Sequence, residues 1–256
     1  MQQNSVHFSI AKHAQWAPGR NSDQAWQEWL LQPSVIRETD GEPPAVKDMP
    51  AMLRRRARLL GRMALEVAYT CLDDLTEVPT IFCSRHGEVI HAVELIKEQI
   101  TEGAISPIGF SSAVHNATAG LFSIANKDRS NHIAIAAGVS TIEHAVIEAC
   151  SLIGEGAKAV LLVNYEQPLP AIFHTFEDCI EQAYAWAWLI VPAEAEKASF
   201  NLEWNPAQKN LNENFTTEQN QPPGLEILRF YLNKQNSLER VTRNHHWIWS
   251  YNNAPT

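Results

Sequence analysis

Residues 131–166 (NHIAIAAGVSTIEHAVIEACSLIGEGAKAVLLVNYE) constrain this chain more than any other stretch. They read as an apolar strand, a turn of small residues, a helix with one apolar face, and a second apolar strand. Ile142, Ala145, Val146, Ala149 and Ile153 recur at helical spacing, and Gly156 stops the helix. The unbroken apolar runs at 133–137 and 159–164 fit central strands covered by helices on both faces. The turn itself is Ala137-Gly138-Val139-Ser140-Thr141. Such a turn commonly presents a nucleophile at a helix N-terminus, and here no nucleophile of the expected kind stands on it.

The flanking sequence repeats the alternation of strand and helix. Strands are expected at 6–16, 80–84, 183–191 and 246–251, the last with Trp247, Trp249 and Tyr251 on one face. Helices are expected at 50–74, 86–101 and 111–125. Shorter ones hold Trp26, Trp29 and Leu30, capped by Ser22 or Asp23, and residues 224–234. In the helix at 86–101, Val89, Val93, Ile96 and Ile100 share one side. Segments 32–49 and 204–223 read as loops, the second an exposed connection. An α/β layered domain follows. The division expected is 1–195 as the main domain and 196–256 as an extension of loop, short helix and strand packed on it.

With 45% hydrophobic and 19% charged residues, the chain has the material for a packed core. A formal charge of −9 argues against nucleic-acid binding. Cys71, Cys83, Cys150 and Cys179 lack framework spacing and read as buried thiols. Neither a signal peptide nor a membrane span is visible, so a soluble, cytoplasmic protein is expected. No ligand spacing for a metal and no GxGxxG or GxxxxGK occurs, so neither metal nor cofactor is expected.

Residues 103–166 resemble the N-terminal half of the β-ketoacyl synthases, members of the thiolase fold. Ile105-Ser106-Pro107, then Ser112, Asn116, Ala119 and Gly120, follow a stretch that in those enzymes lines the acyl tunnel and the dimer interface. The spacing continues without a gap to the turn. Where the family reads Thr-Ala-Cys-Ser-Ser, this chain reads Ala137-Gly138-Val139-Ser140-Thr141, so the nucleophilic cysteine falls on Val139. A one-residue slip would put Gly138 there with the same result. The helix at 52–68 is similar to the family's arginine-containing N-terminal helix. The resemblance implies a thiolase-like half fold, α-β-α in layers, with a mixed central sheet.

Valine cannot carry an acyl group. Too little chain follows Val191 for the second thiolase half that supplies the family's catalytic histidines, and His245 and His246 do not match those motifs. A short ketosynthase-like chain without its cysteine resembles the chain length factors of type II polyketide synthases, in particular those of aryl polyene pathways. That implies a non-catalytic subunit paired with an active ketosynthase and visited by an acyl carrier protein. Candidate tunnel or interface residues are Ile105, Ile108, Phe110, Val114, His115, Asn116 and Phe122. The basic run Arg54, Arg55, Arg56, Arg58 and Arg62 is the candidate carrier-protein docking site, against the plainer reading of a solvated helix face. Ser140 and Ser111 read as helix caps, and Cys150 as core. Two other readings stay open: a stand-alone acyl or carrier-protein scaffold, and an enzyme with a relocated site at His115 and Ser111.

Overall fold

The computed structural model describes residues 4–194, 197–207 and 221–253. β1 (Ser5–Trp16) lies antiparallel between β5 (Tyr184–Pro192) and β6 (Ser199–Pro206). β2 (Thr80–Cys83) runs parallel to β3 (His132–Ile135) on one side and to β4 (Val160–Glu166) on the other. β7 (Ser237–Val241) and β8 (His245–Asn252) form a hairpin that joins through β6. The result is one mixed sheet in the order β3-β2-β4-β5-β1-β6-β8-β7.

Helices cover both faces. On one side α1 (Asp23–Leu31), α7 (Thr141–Gly154) and α8 (Pro223–Leu232) bury Trp26, Val146 and Phe230 against Trp186, Trp188 and Trp249 of the sheet. On the other, α3 (Leu59–Leu72) and α6 (Ala117–Asn126) bury Met63, Val67 and Phe122 against Phe82 and Tyr165. β4, buried along its whole length and closed over on both faces, is the central strand expected.

β3 is not. It pairs only with β2, ends the sheet, and is no better than half-buried along its length. A continuous apolar run suits an edge strand equally well when something outside the chain is to cover it, so the run alone does not distinguish the two.

Three expected helices are shorter than the pattern implied. The one at 50–74 breaks into α2 (Ala51–Arg54) and α3, with Arg58 extended at the N-cap. The arginine run has no apolar stripe to hold a helix down, and α3 starts where Leu60 and Met63 supply one. The one at 86–101 begins later, as α4 (Val89–Glu102), because Gly87 takes a left-handed φ of +56°. Its inward side carries His91, Val93 and Leu95, and Ile96 and Ile100 are exposed. The one at 111–125 divides into α5 (Pro107–Ser112) and α6 around residues 113–116.

Beyond residue 196 the sequence pattern missed β6 and β7. The expected connection at 204–223 starts inside β6, and most of it, like the 195/196 boundary, lies outside the described residues. The added strands coil. β3 and β7 are opposite edges of the sheet, yet β7 curls back over α7 and reaches the turn that follows β3. Strand twist accumulated over eight strands makes that return possible.

Candidate functional site: an elbow without a nucleophile

The turn between β3 and α7 has the form of an elbow. Gly138 takes a φ of +56°, and residues 138–140 make one 3-10 turn before α7 begins. Space is open where a Cβ on Gly138 would stand, so its glycine serves the backbone conformation rather than close packing. Thr141 locks the turn: its Oγ1 accepts from the Ala137 N–H at 2.9 Å and donates to the Gly138 carbonyl at 2.7 Å. Ala136, Ala137 and Gly138 are exposed, and Val139 is half-buried.

Ser140 occupies the α7 N-cap position, but its side chain is not a cap. Its buried hydroxyl accepts from Trp247 Nε1 at 3.1 Å and faces Thr242 Oγ1 at 3.4 Å. Ser111 is not one either. It donates to the Ile108 carbonyl, and Ser106 caps α5 by accepting from the Gly109 N–H. Local sequence places a serine near a helix start in both cases, but the backbone before it decides which residue's side chain can reach back.

Beneath the elbow lies a buried ionic group. The Arg240 guanidinium on β7 pairs with Glu143 of α7, donates through Nε to Glu226 Oε2 at 2.8 Å, and donates through NH2 to the Val139 carbonyl at 3.0 Å. Glu143 is fully buried. Sequence reading missed this group. Its one visible signal was a carboxylate within the buried face of α7, and only the coiled sheet supplies the matching cation.

A second buried group sits where β2 and β4 end. Arg85 pairs with Glu181, Asp178 and Glu166, and its backbone N–H donates to Glu166 Oε1 at 2.8 Å. Burial pushes the Glu166 carboxyl up to about 7 against the opposing pull of Arg85. Asp178, Cys179 and Glu181 bring ligand-type atoms within 4.8 Å of one another, but Asp178 and Glu181 are already turned to Arg85.

All four thiols are shifted upward by burial, Cys150 to about 12. Cys150 is partly buried rather than fully in the core. A thiol held that way is a poor nucleophile.

The candidate tunnel or interface residues separate into groups. Ile108, Phe110 and Val114 are exposed, Ile105 is half-buried, and Asn116 is an exposed residue at the α6 N-cap without a capping side-chain bond. Phe122 is elsewhere, buried between Tyr69 and Phe82. His115 turns inward, where its Nε2 donates to the Ser84 carbonyl at 2.9 Å and its ring fills the space beside Gly87. That inward bond is what divides the helix expected at 111–125. His115 and Ser111 are each bonded to main-chain carbonyls and not to one another.

Three of the five arginines have internal duties. Arg54 donates to the Ala45 and Val46 carbonyls, Arg58 pairs with Glu94 and contacts His91, and Arg62 donates to the Ala57 carbonyl. Arg55 and Arg56 are exposed and form no ion pair with the described residues.

An eight-stranded mixed sheet between helix layers, with an elbow after an edge strand, is a thiolase-like ketosynthase fold. The chain belongs to the family described as "Beta-ketoacyl synthase, N-terminal domain", which matches residues 26–250. Among solved structures it is similar to a chain of the ketosynthase (ApeO) in complex with its chain length factor (ApeC) from Xenorhabdus doucetiae. The TM-score is 0.80 at 22% identity, over 96% of this chain and 99% of that one. It is also similar to the type II polyketide synthase assembly AntDE:AntF, with a TM-score of 0.70 at 13% identity over 99% of this chain and 100% of that one. The ishigamide ketosynthase/chain length factor matches with a TM-score of 0.64 at 14% identity, over 81% of this chain and 68% of that one. At these identities the likeness is one of fold. No curated protein matches the chain. Among the described residues no helix is long and apolar enough to cross a membrane.

Proposed function

We propose that this chain is the non-catalytic, chain-length-factor-like subunit of a type II ketosynthase heterodimer, acting in the cytoplasm in polyketide (aryl polyene) or fatty-acid-like biosynthesis. The observation that carries this reading is the elbow: Gly138 and a single 3-10 turn lead into α7, and Val139, the residue on which the sequence resemblance puts the family's nucleophile, has no nucleophilic atom. A partner ketosynthase supplies the cysteine and histidines. It joins the acyl thioester carbon to C2 of a malonyl unit as CO2 leaves and the partner's thiolate is released. This subunit bounds the growing chain and makes no bond itself. The near full-length match to a chain from a ketosynthase–chain length factor complex supports that assignment, since the two are of similar extent.

The partner-facing surface has a physical candidate. α5 packs on α4 and α6, and α6 packs on β3. This layer exposes Ile96, Ile100, Ile108, Phe110, Val114 and Ile124 beside a strand edge with open hydrogen-bonding groups. Contiguous exposed apolar surface and a free strand edge are both liabilities for a lone chain and assets at an interface. An acyl carrier protein, acidic by expectation, would dock through Arg55 and Arg56.

Co-expression with the cognate ketosynthase tests the reading. A stable heterodimer is expected, with malonyl-dependent elongation only when both chains are present and loss of length control when this one is omitted. Elongation by the isolated chain, or failure of the two to associate, would overturn it.

A further inference from the structure

The elbow has two sides with different surroundings. Its outer side, Ala136 to Gly138, is exposed. Its inner side is held by the far edge of the chain's own sheet. Arg240 reaches three acceptors on three separate segments: Glu143 of α7, Glu226 of α8 and the carbonyl of Val139. Trp247 of β8 and Thr242 at the hairpin turn hold the Ser140 hydroxyl, and the Trp247 ring packs edge-on against His144. Guanidinium is the side-chain cation with enough planar donors to serve three acceptors at once, and a lysine ammonium is a point charge.

We propose that Arg240 is a positioning residue that fixes the Gly138–Val139 turn from within, so that the β7–β8 hairpin sets the shape of the small-residue surface the elbow presents outward. The clamp itself stands on geometry alone. Its consequence for product length rests on the chain-length-factor reading above.

The test uses the full chain carrying Arg240→Lys, which keeps a buried cation for Glu143 and loses the fork that reaches the Val139 carbonyl. Amide hydrogen exchange is read at residues 137–141, with β4 and β5 as internal reference. Expected are a rise of about tenfold or more in exchange at the elbow, unchanged protection in β4 and β5, and a broadened product-length distribution in the heterodimer with the cognate ketosynthase. Wild-type protection at the elbow in the folded variant overturns the proposal. An elbow that loosens while product length stays fixed upholds the clamp and counts against the chain-length reading instead. Should the lysine variant fail to fold, the pair Arg240→Met with Glu143→Leu replaces the buried charges by apolar side chains, a change that folded proteins tolerate. That variant is expected to fold and still to exchange rapidly at 137–141, and slow exchange there overturns the proposal equally.

Discussion

Phe110 offers the most direct test of the proposed partner surface. It sits on the short helix α5 and is 59% exposed. An aromatic side chain carries on the order of 200 Å² of surface, so roughly 100 Å² of Phe110 is left for a partner to cover. At about 25 cal/mol/Å² that area contributes about 2.5 kcal/mol to association, or roughly 70-fold in Kd. Phe110→Ser removes most of this contribution. In the isolated chain the substitution changes little, because the ring is already in water, and Tm is expected to stay within about 2 °C. The measurement is a titration of the chain against its cognate ketosynthase, with Leu31→Ser as control. Leu31 is 88% exposed but lies on α1, a helix outside the α4–α6 layer. Phe110→Ser should weaken binding by about 30- to 100-fold, and Leu31→Ser should leave it alone. A Kd unchanged within about threefold for Phe110→Ser would refute the placement of the interface. Equal losses for the two variants would show that general surface apolarity, not this layer, drives association.

Gly224→Ala is expected to be among the most damaging single changes. A Cβ there would overlap Asn164 Oδ1 and Tyr184 OH, both buried, where α8 is also tied by Trp186 Nε1 to the Gly224 carbonyl at 3.0 Å. A cost of about 2–3 kcal/mol, read as a Tm fall of roughly 5–10 °C, is expected, and an unchanged Tm would contradict this seating of α8. Glu88 gives a pH signature. Burial raises its carboxyl from 4.5 to about 7, against the opposing effects of Arg58 and a Thr118 hydrogen bond. The folded state therefore holds the proton more tightly than the unfolded one, and stability declines as pH rises from 4.5 through 7. Glu88→Gln should be more stable than the wild type at pH 8, by up to roughly 2–3 kcal/mol, with the advantage shrinking toward pH 4.5. Denaturant midpoints that differ equally at both pH values would argue against a buried, proton-holding Glu88. Finally, Arg55→Ala with Arg56→Ala should weaken carrier-protein binding and flatten its salt dependence. Arg54→Ala should instead lower stability, since that side chain holds the Ala45 and Val46 carbonyls. Carrier-protein binding that ignores Arg55 and Arg56 would return the run to a plain solvated surface.

Much of this protein was legible from residue order alone. Local rules suffice where one segment contains its own reasons: the period of α7, its stop at Gly156, the fully buried run of β4, and a cap for α1 at Ser22 or Asp23, which the structure gives to Ser22. The elbow belongs with these, because a strand, a φ-permissive glycine and a helix start lie within a few residues of one another. So does the absence of a sulfur at Val139, which is composition and needs no coordinates. The helix breaks at 55–58 and 113–116 were not legible. The first falls in the arginine run, which lacks an apolar stripe but whose residues are good helix formers, and what interrupts the second is the bond from His115 to a carbonyl 31 residues earlier.

What tertiary structure alone decided is everything that joins distant parts of the chain. β3 and β4 carry the same kind of apolar run, and only the pairing order makes one an edge and the other a center. The arginine run is uniform in sequence, and only the fold gives Arg54, Arg58 and Arg62 partners within the chain and leaves Arg55 and Arg56 free of the described acids. Above all, Arg240 and Glu143 stand 97 residues apart and meet because the sheet's twist returns its last hairpin to the first residues of α7. Spacing rules reach a few turns or one pleat. An ion pair closed by the coiling of eight strands is a property of the whole sheet, and it is this pair that holds the elbow the sequence had already drawn.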